Sequence, residues 1–235
     1  MAVIDIKNLN KRFGSKSVLK DINLSLEGQQ IIGLLGPNGS GKTTLLKILA
    51  GALTDYDGDV RIEGHPISPK SKALVAYLPE KPLTEENWRV SKLLNYYEDM
   101  YQDFDRRKSL DMLKRFKLAE DMRIKTMSKG MKEKLSLAVL MGRNALVYLL
   151  DEPLGGVDPA ARGAILEKII GAFDEDSLMI ISTHLIGDVE PVLDRVIFLK
   201  DESIFLDEEA DTIRARENKS IDDYFKYVYR EEGVL

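Results

Sequence analysis

The chain has 235 residues, enough for one substantial domain with its own core, and its 44% hydrophobic and 31% charged content is that of an ordinary globular protein. Its 39 acidic residues outweigh 34 basic ones for a formal net charge of -5, which argues against an electrostatic grip on nucleic acid or on an anionic membrane surface. There is no cysteine, so disulfides and thiolate metal sites are excluded. No apolar run approaches the about 18 residues of a membrane span, and the opening MAVIDIKNLNKRF lacks the apolar stretch of a secretory signal.

Taken in chain order, the first sixty or so residues are rich in strand signals. Residues 3–6 are a short strand candidate, 22–26 alternate with period two, and 60–62 lie between Gly58 and Gly64. Residues 31–35 are apolar on both faces, as a buried strand of a parallel sheet must be, and run directly into a glycine-rich turn. That turn opens an expected helix over 43–50, which stops near Gly51. From about 84 to 145 the spacing becomes helical and charged. Two more fully apolar strands are expected at 146–150 and 178–182, with helical periodicity between them over 159–173 and again in the tail over 213–229. Strands alternating with helices predict an α/β fold with a parallel sheet, into which the helical stretch is inserted.

Gly36, Pro37, Asn38, Gly39, Ser40, Gly41, Lys42, Thr43 and Thr44 match G-x-x-x-x-G-K-[ST] in the place the chemistry requires, after a buried strand and at the start of a helix. Glycines let the backbone curl so that several amides converge on phosphate oxygens, and the positive end of the helix adds to the field. Lys42 can then reach the β- and γ-phosphates, and the Thr43 hydroxyl can ligate Mg²⁺. Residues 146–150 end in Asp151 and Glu152, at the carboxyl end of a parallel strand, where ligands of open α/β sheets bind. Asp151 is expected to hold the magnesium, and Glu152 to orient or deprotonate the attacking water of ATP hydrolysis.

Thr126-Met127-Ser128-Lys129-Gly130-Met131 precedes a helix about twenty residues before this acidic pair. Together with the motifs above it resembles the signature (LSGGQ and variants) of ATP-binding cassette proteins, and the resemblance spans nearly the whole chain in family order. It implies a P-loop ATPase core (1–83 and 146–212) with an N-terminal antiparallel β subdomain, a helical signature subdomain (84–145) and a C-terminal helical tail (213–235). Phe13 matches the aromatic that stacks on adenine. Glu80 falls where the family usually has glutamine, in a loop that senses magnesium and touches the membrane partner. Ser128, Lys129, Gly130 and Met131 match the signature that meets the γ-phosphate of another subunit, in a form resembling the SKGM of exporter-type ATPases. Gly155-Gly156-Val157-Asp158 matches the D-loop, with Asp158 as its acidic member, and His184 matches the switch histidine at a strand end. Read without the family, Ser128 is simply a good helix cap, and Met131, Leu135, Ala138 and Val139 form an apolar stripe behind it.

With one phosphate loop and one signature per chain, the resemblance implies pairing with an identical copy or a paralogue, around ATP and Mg²⁺. The expected function is the energising ATPase of a transporter with separate integral-membrane permease subunits, held on the cytoplasmic face of the membrane, and an exporter rather than an importer. No nucleic-acid partner is expected. Two alternatives use the same residues: a soluble mechanical ATPase of translation or DNA repair, and a module that gates a partner by ATP-driven dimerisation alone.

Overall fold

Residues 2–81, 85–173 and 176–230 are described by the computed structural model. In chain order they form β1 (Ile4–Phe13), β2 (Lys16–Leu26), β3 (Gln30–Leu35), α1 (Lys42–Leu49), β4 (Asp57–Ile62), β5 (His65–Pro66), α2 (Pro69–Ala73) and β6 (Val75–Leu78). Then come α3 (Val90–Met100), α4 (Arg106–Arg115), α5 (Lys129–Leu140), β7 (Val147–Asp151), α6 (Pro159–Ile170) and β8 (Leu178–Ser182). The chain continues through α7 (Ile186–Val189), β9 (Arg195–Lys200), β10 (Ser203–Glu209), α8 (Ala210–Glu217) and α9 (Ile221–Arg230).

Among the described residues two sheets organise the fold: an antiparallel one in the order β2-β1-β4-β5, and a larger one in the order β10-β9-β3-β8-β7-β6. The pairs β3–β8, β3–β9, β7–β8 and β6–β7 are parallel, and β10 adds an antiparallel edge. Period-two alternation divides the apolar side chains of the large sheet between two cores. Ile32, Leu34, Val147, Leu149, Leu178 and Ile180 point toward α1 and the antiparallel sheet. Ile31, Leu35, Tyr148, Leu150, Met179 and Ile181 point toward the helices on the opposite face. Runs that read as uniformly apolar in sequence are therefore buried twice over. A charge introduced anywhere along β3, β7 or β8 has no solvated side to turn to.

The helices α3 to α5 are fastened to this sheet by one buried cation. The Arg143 guanidinium donates to Asp103 Oδ1 at 2.6 Å, to the Ala73 carbonyl at 2.8 Å and to the Val75 carbonyl at 3.5 Å, and lies 3.8 Å from the Tyr101 ring centre. The Arg143 carbonyl in turn accepts the Tyr148 hydroxyl at 2.6 Å. At the other end of α5, Ser128 Oγ accepts the Met131 amide at 3.3 Å and caps the helix. Ser128→Ala is expected to cost about 1 kcal/mol, the usual worth of such a cap, measured as a lower urea midpoint at unchanged slope.

Four strands depart from the sequence expectation, the two-residue β5 among them. β6 has only four residues, too few for a periodic signal, and β10 is an edge strand whose outward residues are charged or half-exposed. β9 is as apolar as its neighbours, yet it follows a short helical turn and not a motif. The tail expected to be helical over 213–229 is helical, in two pieces separated at Asn218 in the left-handed conformation (φ 50°). Its second half packs on β9: Phe198 contacts Tyr224, Phe225 and Tyr229, and the Tyr229 hydroxyl donates to the Leu199 carbonyl at 2.9 Å. The expected division at residues 83 and 84, and residues 231–235 of the tail, lie outside the described residues.

Candidate functional site

The parallel strands β3, β7 and β8 present their carboxyl ends to one side, and the loops that leave them form a cleft of about 730 Å³. Its phosphate-binding candidate is the turn between β3 and α1. Gly41 stands at the N-cap of α1 with φ 105°, a conformation that strains any other residue, and a Cβ there would meet Leu19 at 2.8 Å and the Val18 carbonyl at 2.9 Å. Glycine at this position lets β2 pack against the turn while α1 begins with its amides free. Asn38, Gly39, Gly41, Lys42, Thr43 and Thr44 line the cleft, whereas Pro37 and Ser40 face the opposite side toward Lys200 and Tyr229.

Lys42 is buried and folded back on its own loop, donating to the Gly36 carbonyl at 2.6 Å and the Pro37 carbonyl at 3.1 Å. Burial pulls its ammonium below the usual lysine range, and the charges of Glu152 and Asp151 oppose that fall.

Asp151 ends β7 in register with Ser182 of β8. Its Oδ1 accepts Thr43 Oγ1 at 3.1 Å and Ser182 Oγ at 2.8 Å, so that two strand ends and the first turn of α1 meet at one carboxylate oxygen. Its Oδ2 is buried without a partner among the described residues. Such an orphaned oxygen beside a threonine hydroxyl is the donor set a hard cation uses when phosphate oxygens supply the remaining ligands.

Glu152 follows in a turn with φ 51°. Its Oε2 collects three contacts: Thr183 Oγ1 at 3.2 Å, the His184 amide at 3.4 Å and His184 Nδ1 at 2.9 Å. All three come from the loop after β8. The glutamate side chain is only 14% exposed, against 55% for the histidine, so a half-open imidazole covers a nearly closed carboxylate. Phe13 leads the other wall of the cleft, half-exposed, with Lys11 Nζ 4.7 Å from its ring centre. Glu80 lines both this cleft and a second one of about 650 Å³, which runs past Thr43 and Asp151 between Pro79, Leu93 and Tyr97.

The signature residues are divided. Lys129 reaches the cleft, while Ser128 is held in its cap and Met131 packs against the core, neither of them lining it. Gly130 lies 3.6 Å, measured from an added Cβ, from the Gly156 carbonyl. Asp158 is the cap of α6, accepting the Ala160 amide at 2.9 Å, and does not line the cleft of its own chain. Five cleft residues escaped the sequence reading: Ser182, Lys81, Lys16, Val18 and Glu133. Ser182 carried a signal, the carboxyl end of a buried strand beside His184, and Lys81 adjoins Glu80; the other three are brought to the site only by folding.

The ABC transporter family model matches residues 19–155. The chain is 30% identical to the ABC transporter ATP-binding protein YtrB of Bacillus subtilis, over 86% of this chain and 70% of that protein. It is 29% identical to the lantibiotic transport ATP-binding protein SrtF of Streptococcus pyogenes, over 89% of this chain and 92% of that one. Among solved structures, an ATP-binding subunit of an ABC transporter superposes with a TM-score of 0.86 at 24% identity, covering 96% of this chain and 99% of the other, which shows the shared fold.

Proposed function

The chain belongs to the ABC transporter family of ATP-binding proteins, and from that premise we propose that it hydrolyses ATP in the cleft at the carboxyl ends of β3, β7 and β8. The loop amides from Gly39 to Thr44, the start of α1 and Lys42 hold the triphosphate, and Phe13 stacks on the adenine. Lys42 exchanges its two carbonyl partners for phosphate oxygens, which suit a buried ammonium better. Thr43 and Asp151 hold magnesium, with Glu80 beside them. When bound, that ion neutralises charge on the β- and γ-phosphate oxygens.

Glu152 handles the water. Its Oε2 is taken by Thr183 and His184, so Oε1 is the oxygen that accepts a hydrogen bond from the nucleophile and aims it at the γ-phosphorus. His184, with Nδ1 turned to Glu152, has Nε2 left to meet a γ-phosphate oxygen. The observation that carries this reading is the convergence of Thr43, Asp151 and Ser182 within 3.1 Å, beside Lys42 and the Glu152–His184 pair.

A second ATPase subunit, identical or paralogous, completes the site with Ser128, Lys129, Gly130 and Met131, while Asp158 crosses the same interface. The stroke passes to integral-membrane permease subunits, and the signature form together with the relative named for lantibiotic transport supports an exporter. No helix among the described residues is long and apolar enough to cross a membrane, so the chain would act peripherally, on the cytoplasmic face, through those subunits. The test is phosphate release from ATP by purified protein in Mg²⁺ and in excess chelator. Release is expected to saturate with ATP and to fall at least about 10²-fold when the metal is removed; release that persists in chelator would remove Thr43 and Asp151 from their assigned role.

A further inference from the structure

Glu133 stands in the second turn of α5, and nothing in the chemistry above uses it. Its side chain is 15% exposed and faces the cleft. Its carboxylate lies against the Gly156 backbone, where an added Cβ would be 1.9 Å from Oε1 and 2.5 Å from Cδ. Gly156 does not adopt a positive φ, so it is the carboxylate, not the backbone, that leaves no room for a side chain there. Burial holds the Glu133 carboxyl above its ordinary range, and Lys129, 3.9 Å away and largely exposed, offsets little of that. Oε2 is buried with no partner among the described residues. A buried, half-satisfied carboxylate destabilises a fold, so its presence calls for a functional reason.

The reason lies at the other end of the same turn. Glu152, at φ 51°, occupies a backbone region that an L-residue keeps only when its surroundings hold it there. Its amide donates to the Ser182 carbonyl at 2.9 Å, and its carbonyl accepts the Gly155 amide at 3.1 Å. Gly155 has a flexible neighbour on its far side, Gly156, and that neighbour is what Glu133 grips.

We propose that Glu133 is a positioning residue, clamping the Gly155–Gly156 turn to the signature-bearing helix α5 and thereby fixing the backbone of Glu152. The placement of α5 is in this way transmitted to the water-handling carboxylate within one chain. This role rests on the hydrolytic reading given above.

The test is a double-mutant cycle on ATP turnover with E133A, G156A and the double variant, with E133Q alongside and the fold of each checked by circular dichroism. E133A and G156A are each expected to lower kcat about tenfold while KM for ATP stays within about twofold, because residues 36–44 are untouched. The double variant should fall no lower than the weaker single one, since both changes break one contact. E133Q keeps the same side-chain shape against Gly156 and carries no buried charge, so it should return kcat to within about threefold of wild type. G156A displaces the carboxylate without deleting it, and serves if E133A does not fold. A wild-type kcat in E133A and G156A, or a double variant at the product of the singles, would overturn the clamp alone, provided the wild-type chain shows turnover that Lys42→Ala abolishes. Absence of that turnover would overturn the ATPase reading and the clamp's role with it.

Discussion

Glu152→Gln is expected to lower ATP turnover by about 10²- to 10⁴-fold, the range that general-base assistance contributes, while nucleotide affinity changes little. The substitution is nearly isosteric and leaves the strained backbone as strained as before, since glutamine and glutamate tolerate φ 51° equally. What changes is charge. An amide still accepts a hydrogen bond from water through its oxygen but cannot draw a proton from it. The His184 imidazole exchanges its carboxylate partner at 2.9 Å for an amide. None of the groups expected to hold the triphosphate is touched. Bound ATP that cannot be cleaved should keep two subunits together, and a sizing column run with and without ATP should resolve a nucleotide-dependent dimer. Turnover within tenfold of wild type would mean that another group prepares the water.

Lys42→Ala should weaken ATP binding by about 3 to 4 kcal/mol, or 10²- to 10³-fold in Kd, the loss of two hydrogen bonds from a charged donor. Burial makes the figure large. The ammonium is already desolvated in the free protein, so phosphate oxygens reach it without stripping water from it. The same burial gives the interaction a pH signature. The charged form binds phosphate, and its pKa lies below the usual 10.5, so affinity should begin to fall at a lower alkaline pH than a solvated lysine would produce and stay level below that. Titration of a fluorescent ATP analogue across pH measures both effects. Binding that survives the substitution would place the triphosphate elsewhere.

Much of this site was legible before any coordinates, and the reason is physical. Strands buried on both faces must be apolar throughout, so 31–35, 146–150 and 178–182 were conspicuous, and the polar residues just past their ends stood out by contrast. Asp151, Glu152 and His184 sit at such ends, and Lys42 opens the helix that follows one. What stayed hidden falls into two kinds. Short or half-exposed strands such as β6 and β10 carry too few residues, or too mixed a pattern, for periodicity to register. Contacts across the fold leave no local trace: the bonds from Thr183 to Glu152 and from Ser182 to Asp151 link residues 31 positions apart, and Glu133 meets Gly156 only because α5 is laid against the turn after β7. The break at Asn218 was missed for a smaller reason, since asparagine is one of the few residues other than glycine that takes the left-handed turn readily, and a helical pattern runs on either side of it.

The anchorage of Arg143 has a mechanical meaning. The side chain is pinned to Asp103 and to the carbonyls of residues 73 and 75, just past the end of α5, while the side of the helix toward Glu80 borders an open groove. The helix is also buried over residues 135–140, so it is held as a rod by its second half and its tail together. Its 12 residues span about 18 Å, so a shift of the sheet at Ala73 and Val75 is carried along that rod to the exposed tip at Ser128.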